Sequence, residues 1–485
     1  MTIEEYLKKI DTVIENGEYK DTWESLSRFQ IPSWYRSGRF GIFIHWGVYS
    51  VPATQSEWYP RLMYLKYTKS YRHRINTYGE NADYRAIVEK FTPQKFNAEE
   101  WIRLFRESGA KYVMPVAEHH DGIKLYKSQL NSWNMADLPQ HRDFIAELHA
   151  ACDQLGMGFL CSNHRAEHFW FLNGARKNCP DSEVAKNLYP DLYGPAMLHK
   201  NGNPNAFEDC PPTKEWCEDW LASACEMIDV NQPLAVYFDW WINKREFKPY
   251  VKKFLAYYYN RGLEWGKEVA VFYKWGSVMK DCAIFDVERG QINEISEKMW
   301  QNDTAIAKNS WGYTENNRFK STYEILTNLI DTVSKNGCFM LNVGPKADGT
   351  ICAEEKKVLL EIGGWLKKNG EAIYDSKPFT VCGEGKAQKS GAFQENLKYT
   401  KKDLRFTYKT GAVYVFVMTN KKLNKITVKN LRNANENGIR YNITKAELLG
   451  YPNRVNWNQT SKALTLEIQG TVPSELPLCI KVHID

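Results

Sequence analysis

Several apolar runs in this chain end in groups that can do chemistry. "GRFGIFIHWGVYS" (38–50) delivers His45 and Trp46, "KYVMPVAEHHDG" (111–122) delivers Glu118, His119, His120 and Asp121, and "LAVYFDWW" (234–241) delivers Asp239. "AIFDVERGQ" adds Glu288. Two carboxyls flanking a bond, one ionised and one protonated, are what glycoside hydrolysis needs. Asp239 sits among Tyr237, Phe238, Trp240 and Trp241, where a carboxylate without partners would be costly to bury. Aromatic faces around such a pair suit a sugar ring, and His45, His119 and His120 could hold its hydroxyls. A plainer reading pairs Glu288 with Arg289 and Asp239 with a histidine as structural bonds. A metallohydrolase built on His45, the His119–His120 pair and Asp121 is a third. Adjacent strand residues point to opposite faces, which works against two neighbouring histidines sharing one ion. No metal and no cofactor is expected.

These groups need elements that carry them to one place. Short apolar runs predict strands at 38–47, 111–118, 156–162, 233–239, 269–275, 283–288, 305–311 and 337–343. Between them "NAEEWIRLFRESG", "RDFIAELHAACDQLG", "TKEWCEDWLASACEMID" and "STYEILTNLIDTVSKNG" place apolar residues at three- and four-residue spacing, the mark of amphipathic helices. Eight strand–helix repeats predict a parallel (β/α)8 TIM-like barrel, whose C-terminal strand ends line an active site. Those ends also supply Asn163-His164, Lys274-Trp275, Trp311-Gly312-Tyr313 and Asn342. The connections 48–96 and 165–212 are long enough to shape a binding site. After "YDSKPF" the pattern turns to alternating segments such as "LRFTYKT", "AVYVFVMTN" and "ALTLEIQG", which predict an antiparallel β-sandwich. The expected domains are 1–374, the catalytic barrel, and 375–485, the sandwich.

Composition narrows the classes. Hydrophobic residues at 43% and charged residues at 25% are globular values, and 485 residues exceed one ordinary domain. A net charge of +6 without long Lys/Arg blocks does not indicate nucleic-acid binding. No run approaches the ~20 apolar residues that span a bilayer. The opening "MTIEEYLKKIDTVIENGEYK" lacks a signal-peptide pattern. Eleven scattered cysteines without a CxxC pair argue against a disulfide framework or zinc site. A cytoplasmic location is expected; homo-oligomerisation is left open.

Four segments, "WYRSGRFGIFIHWGVYSVPATQSEWY", "GAKYVMPVAEHHDGIKL", "SWGYTEN" and "DTVSKNGCFMLNVGPKADGTI", resemble the signature segments of the α-L-fucosidases of glycoside hydrolase family 29. The resemblance covers roughly residues 30–375, in order, and the barrel-plus-sandwich layout fits that family. It implies a retaining exo-glycosidase that releases terminal α-L-fucose from a fucosylated glycan or oligosaccharide. By that resemblance Asp239 would be the nucleophile and Glu288 the acid/base. His45, Glu57, Trp58, His119 and His120 would contact fucose hydroxyls. Phe43, Tyr237 and Trp311 would enclose the C5 methyl. The chain departs from the family at Cys161, where tyrosine is frequent, and at Lys274, where arginine is common; Lys274 is expected near the Asp239 carboxylate or a sugar hydroxyl. Two alternatives are a glycosidase for a related sugar such as α-L-galactose, and a non-catalytic carbohydrate-binding relative.

Overall fold

The computed structural model describes residues 1–178, 192–198, 210–433, 441–471 and 475–485. Most of the long connection at 165–212 lies outside the described residues. Parallel strands β1 (Phe40–Ile44), β2 (Tyr112–Glu118), β3 (Gly158–Phe159), β4 (Cys161–Asn163), β5 (Ala235–Phe238), β6 (Ala270–Tyr273), β7 (Ile284–Phe285), β8 (Trp300–Ala305) and β9 (Gly337–Val343) form the barrel. β1 pairs with β2 on one side and β9 on the other. β3 and β4 share one barrel position, interrupted at Leu160, since both pair with β2. The ring closes between β7 and β8, where Asp286 bridges Gln301 in parallel and Val287 N donates to Gln301 O at 2.9 Å.

Every residue of β1, β2 and β9 is buried, as strands covered by helices outside and side chains inside must be. Gly41 is required here, because a Cβ would lie 2.2 Å from the Tyr112 ring. The four expected helices form. Ala98–Glu107 is capped by the Asn97 side chain and buries Trp101, Ile102 and Phe105. Phe144–Leu155 ends at Gly156 in the left-handed region, φ +67°. Thr213 caps Lys214–Asn231, and Ser321 with Glu324 forms a capping box on Thr322–Ser334.

One strand is displaced from its expected place. The run 305–311 is mostly loop, and the strand is Trp300–Ala305, "WQNDTA". Its polar side chains are all buried, and each finds at least one partner in the barrel, on the covering helix or at Glu395. Gln301 Nε2 donates to Asp286 Oδ1 at 2.9 Å, Asn302 Nδ2 to Thr332 Oγ1 at 2.9 Å, and Asp303 Oδ2 accepts from Tyr237 Oη at 3.0 Å.

The C-terminal part is an antiparallel β-sandwich of a five-stranded and a three-stranded sheet. Its strands are β10 (Lys377–Glu384), β11 (Leu404–Lys409), β12 (Ala412–Val417), β13 (Lys425–Val428), β14 (Ile443–Leu448), β15 (Val455–Gln459), β16 (Leu464–Ile468) and β17 (Leu478–Ile484). All six residues of β12 are buried because both its faces are covered. Val413, Val415 and Val417 pack in the sandwich core, while Ala412, Tyr414 and Phe416 join the barrel core. Phe416 stacks on Trp365 of helix Ala353–Asn369, ring centroids 6.3 Å apart. No helix among the described residues is long and apolar enough to cross a membrane.

Candidate active site

The strand ends open into one cavity of about 440 Å³. The residues given catalytic or sugar-binding roles line it: Phe43, His45, Glu57, Trp58, His119, His120, Tyr237, Asp239, Lys274, Glu288 and Trp311. Trp46, Glu118 and Asp121, expected at the same strand ends, turn elsewhere: Trp46 packs among Phe91, Phe96, Trp101 and Phe144, Glu118 pairs with Arg165, and Asp121 accepts from Tyr84 Oη at 2.6 Å. His164, Trp240, Trp275, Asp303 and Phe393 complete the wall.

Lys274, the residue after β6, is buried in the centre of the acidic groups rather than reaching out along the rim. Its Nζ donates to Glu288 Oε2 at 2.7 Å and to Asp239 Oδ1 at 3.3 Å, and lies 3.9 Å from Asp303 Oδ2. Burial alone would lower its pKa, but Glu288, Asp303, Asp239 and Asp286 together hold it well above the ordinary lysine value. This cation divides the fates of the two carboxyls. Burial would raise Asp239, yet Lys274, the His164 hydrogen bond and His120 hold it well below the usual carboxylate range. Glu288 is raised: burial outweighs Lys274, and the charges of Asp303 and Asp239 act in the same direction as burial. The site therefore holds one firmly ionised carboxylate and one carboxyl inclined to keep its proton. Behind them, Asp286 is raised well above its ordinary value by burial and by the adjacent Asp303.

Arg289 leaves Glu288 free for this arrangement. Its guanidinium turns to Ala307 O and to Glu395, 3.5 Å away, and lies over the Trp311 ring at 4.6 Å.

The imidazoles are fixed by their neighbours. Asn342 Nδ2 donates to Trp311 O at 2.7 Å, so its Oδ1 faces His45 Nδ1 at 2.6 Å. His45 must then carry its proton on Nδ1, leaving Nε2 as an acceptor. Burial, with His164 nearby, keeps His45 well below the usual histidine value and so neutral. His119 is likewise lowered by burial and by its histidine neighbours. His120 is the exception: burial opposes its charge, but Glu167 at 3.4 Å and Asp239 at 3.6 Å raise its pKa. His164 Nδ1 lies 3.3 Å from Asp239 Oδ2, and its Nε2 meets Ser162 Oγ. Donor atoms of His45, His119 and His164 fall within 4.8 Å of one another, as do those of His120, His164 and Asp239. On donor count either triad could receive a metal ion, and both share His164.

Glu57 holds the opposite wall. Its Oε2 accepts from Ser310 Oγ at 3.0 Å, Trp311 N at 2.9 Å and Gly312 N at 3.3 Å, which sets the Trp311 loop after β8. Phe43 then faces Tyr237 edge-on at 5.1 Å and Trp311 at 6.2 Å, making an apolar corner beside His45.

The chain matches the family model described as alpha-L-fucosidase over residues 7–371. It belongs to the α-L-fucosidase family. Among its curated relatives, human tissue alpha-L-fucosidase is 27% identical over 481 residues, covering 95% of this chain and 90% of the relative. Rat tissue alpha-L-fucosidase is 30% identical over 381 residues, covering 76% and 74%. The structure of Thermotoga maritima alpha-fucosidase in complex with a mechanism based inhibitor superposes with a TM-score of 0.74 at 27% identity, covering 96% of this chain and all of that one. The protein is accordingly a glycoside hydrolase, an α-L-fucosidase by family.

The sequence reading left some of the wall unassigned. His164, Trp240 and Trp275 stand at predicted strand ends, so their positions were visible although no role was attached to them. Asp303 belongs to the displaced strand β8. Phe393 comes from the segment between β10 and β11 and carries no local signal of its place in the cavity.

Proposed function

We propose that the chain hydrolyses terminal α-L-fucosyl residues of glycans with retention of configuration, through a covalent fucosyl-enzyme intermediate. The observation that carries this reading is Lys274 bridging Asp239 and Glu288 at 3.3 and 2.7 Å. Laid end to end, those lengths keep the two bridged oxygens closer than an inverting pair's about 6.5–9.5 Å, which favours the retaining spacing of about 5–5.5 Å. Asp239, kept ionised, attacks the anomeric carbon as the glycosidic bond breaks. Glu288, inclined to hold its proton, protonates the departing oxygen. In the second step Glu288 takes a proton from water, whose oxygen attacks the anomeric carbon and releases Asp239.

Recognition follows from the walls. The Nε2 acceptor of His45, together with His119, His120, Glu57 and Trp58, holds the sugar hydroxyls. The corner of Phe43, Tyr237 and Trp311 takes the C5 methyl. α-L-Galactose would push a hydroxyl into that corner, where an unanswered polar group costs about 1–3 kcal/mol. No metal enters the scheme. A Thermotoga maritima relative was solved in complex with fucose, which supports this sugar as the ligand.

The test is a panel of 4-nitrophenyl glycosides. The α-L-fucoside should be turned over, and the α-L-galactoside at least about tenfold more slowly. Asp239→Gly should lose at least ~10³-fold in turnover, with azide restoring part of it as a β-fucosyl azide. Near-normal turnover in that variant would end the assignment.

A further inference from the structure

Two aromatic side chains at the cavity mouth are not explained by packing. Trp275 is 57% exposed and Phe393 58% exposed, yet both line the cavity. Both also sit in the left-handed backbone region, φ +55° and +59°, an uncommon and costly conformation for bulky residues. For Phe393 the surrounding backbone holds it in place. Phe393 N donates to Glu288 O at 2.9 Å, and Gly391 exchanges backbone hydrogen bonds of 2.8 and 3.2 Å with Gln291. Trp275 directly follows Lys274, and its ring lies 6.5 Å from that of Trp240. The two rings thus project from residues tied to the Lys274–Glu288 pair.

We infer that Trp275 and Phe393 form the leaving-group subsite, an aromatic platform for the sugar ring to which the fucose is attached. The inference rests on Glu288 being the acid/base. If Glu288 protonates the departing oxygen, the departing ring passes the residues anchored beside Glu288. The C–H face of a pyranose is apolar enough to lie on an exposed aromatic ring. Exposed rings held in costly backbone conformations at the exit of a cavity are accounted for by such a partner.

The test compares two substrates in the full-length enzyme. One is α-L-fucosyl fluoride, whose leaving group is too small to reach the rim. The other is the best of a set of 1→2, 1→3, 1→4 and 1→6 linked α-L-fucosyl disaccharides. Phe393→Ala and Trp275→Ala should each lower kcat/KM for the disaccharide about tenfold more than for the fluoride, and Phe393→Tyr should restore the ratio. If both substrates lose rate together, the residues merely brace the catalytic backbone and the subsite is overturned. An unchanged ratio in both variants overturns it as well. If the wild-type enzyme turns over neither substrate, the α-L-fucosidase reading itself fails and takes the subsite with it.

Discussion

At the scale of single residues, one ammonium group decides how the site ionises. An arginine would offer a planar fork able to hold both carboxyls by separate nitrogens, whereas Lys274 is a point charge shared between Asp239 and Glu288. Removing the charge acts on both carboxyls in one direction. Asp239 loses the cation that favours its ionised form, so its pKa rises and the acidic limb of the kcat/KM profile moves to higher pH. Glu288, already raised by burial, loses the same opposing influence, so the basic limb also moves up. Lys274→Met should therefore displace the whole bell toward alkaline pH, and Lys274→Arg should leave it nearly in place. A methionine variant with an unmoved profile would show that Lys274 is only structural.

At the scale of elements, β9 couples two recognition features through one amide. Asn342 orients His45 with its carbonyl and the Trp311 loop with its amino group. Asn342→Asp would put a carboxylate 2.6 Å from His45 Nδ1, favouring the imidazolium and raising a pKa that burial now depresses. Once protonated on Nε2, His45 no longer accepts a hydrogen bond. Activity in this variant should be lost as pH falls through the raised histidine pKa, at a higher pH than in the parent enzyme. The pH dependence of KM for an aryl fucoside checks it.

The elements were unequally legible in the sequence. β1 and β2 read clearly because "FGIFI" and "YVMPVAE" are continuous apolar runs; of the groups after them His45, His119 and His120 line the cavity, whereas Trp46 and Asp121 turn into the core. β8 did not, because "WQNDTA" looks like a loop until Asp286, Thr332 and Tyr237 are in place to answer its polar groups. Trp311 lines the cavity but from the loop after β8 rather than from a strand end; Glu57, not strand register, positions it. Phe393 was beyond reach, since its role depends on a contact with Glu288 across 105 residues of chain.

At the scale of the whole molecule, the segment between β10 and β11 returns to the barrel and is fastened there by Glu395. Its carboxylate accepts from Lys320 Nζ at 2.6 Å, from Thr304 Oγ1 and from Asn328 Nδ2, and faces Arg289 at 3.5 Å. Glu395→Ala would leave two largely buried cations without their carboxylate, a change that costs about 3–5 kcal/mol. The denaturation midpoint should drop clearly, and less so in Glu395→Gln, which keeps an acceptor; an unchanged midpoint in the alanine variant would show the fastening to be weak. This anchoring bears on how such enzymes can be recombined. The junction near residue 375 invites a chimera that joins the barrel of one relative to the sandwich of another. A crossover at that point would also exchange Phe393 and Glu395, and with them part of the cavity rim. The unit that must be inherited intact is therefore the barrel together with the segment through residue 400, and a hybrid cut earlier would unite one parent's fucose pocket with the other parent's doorway.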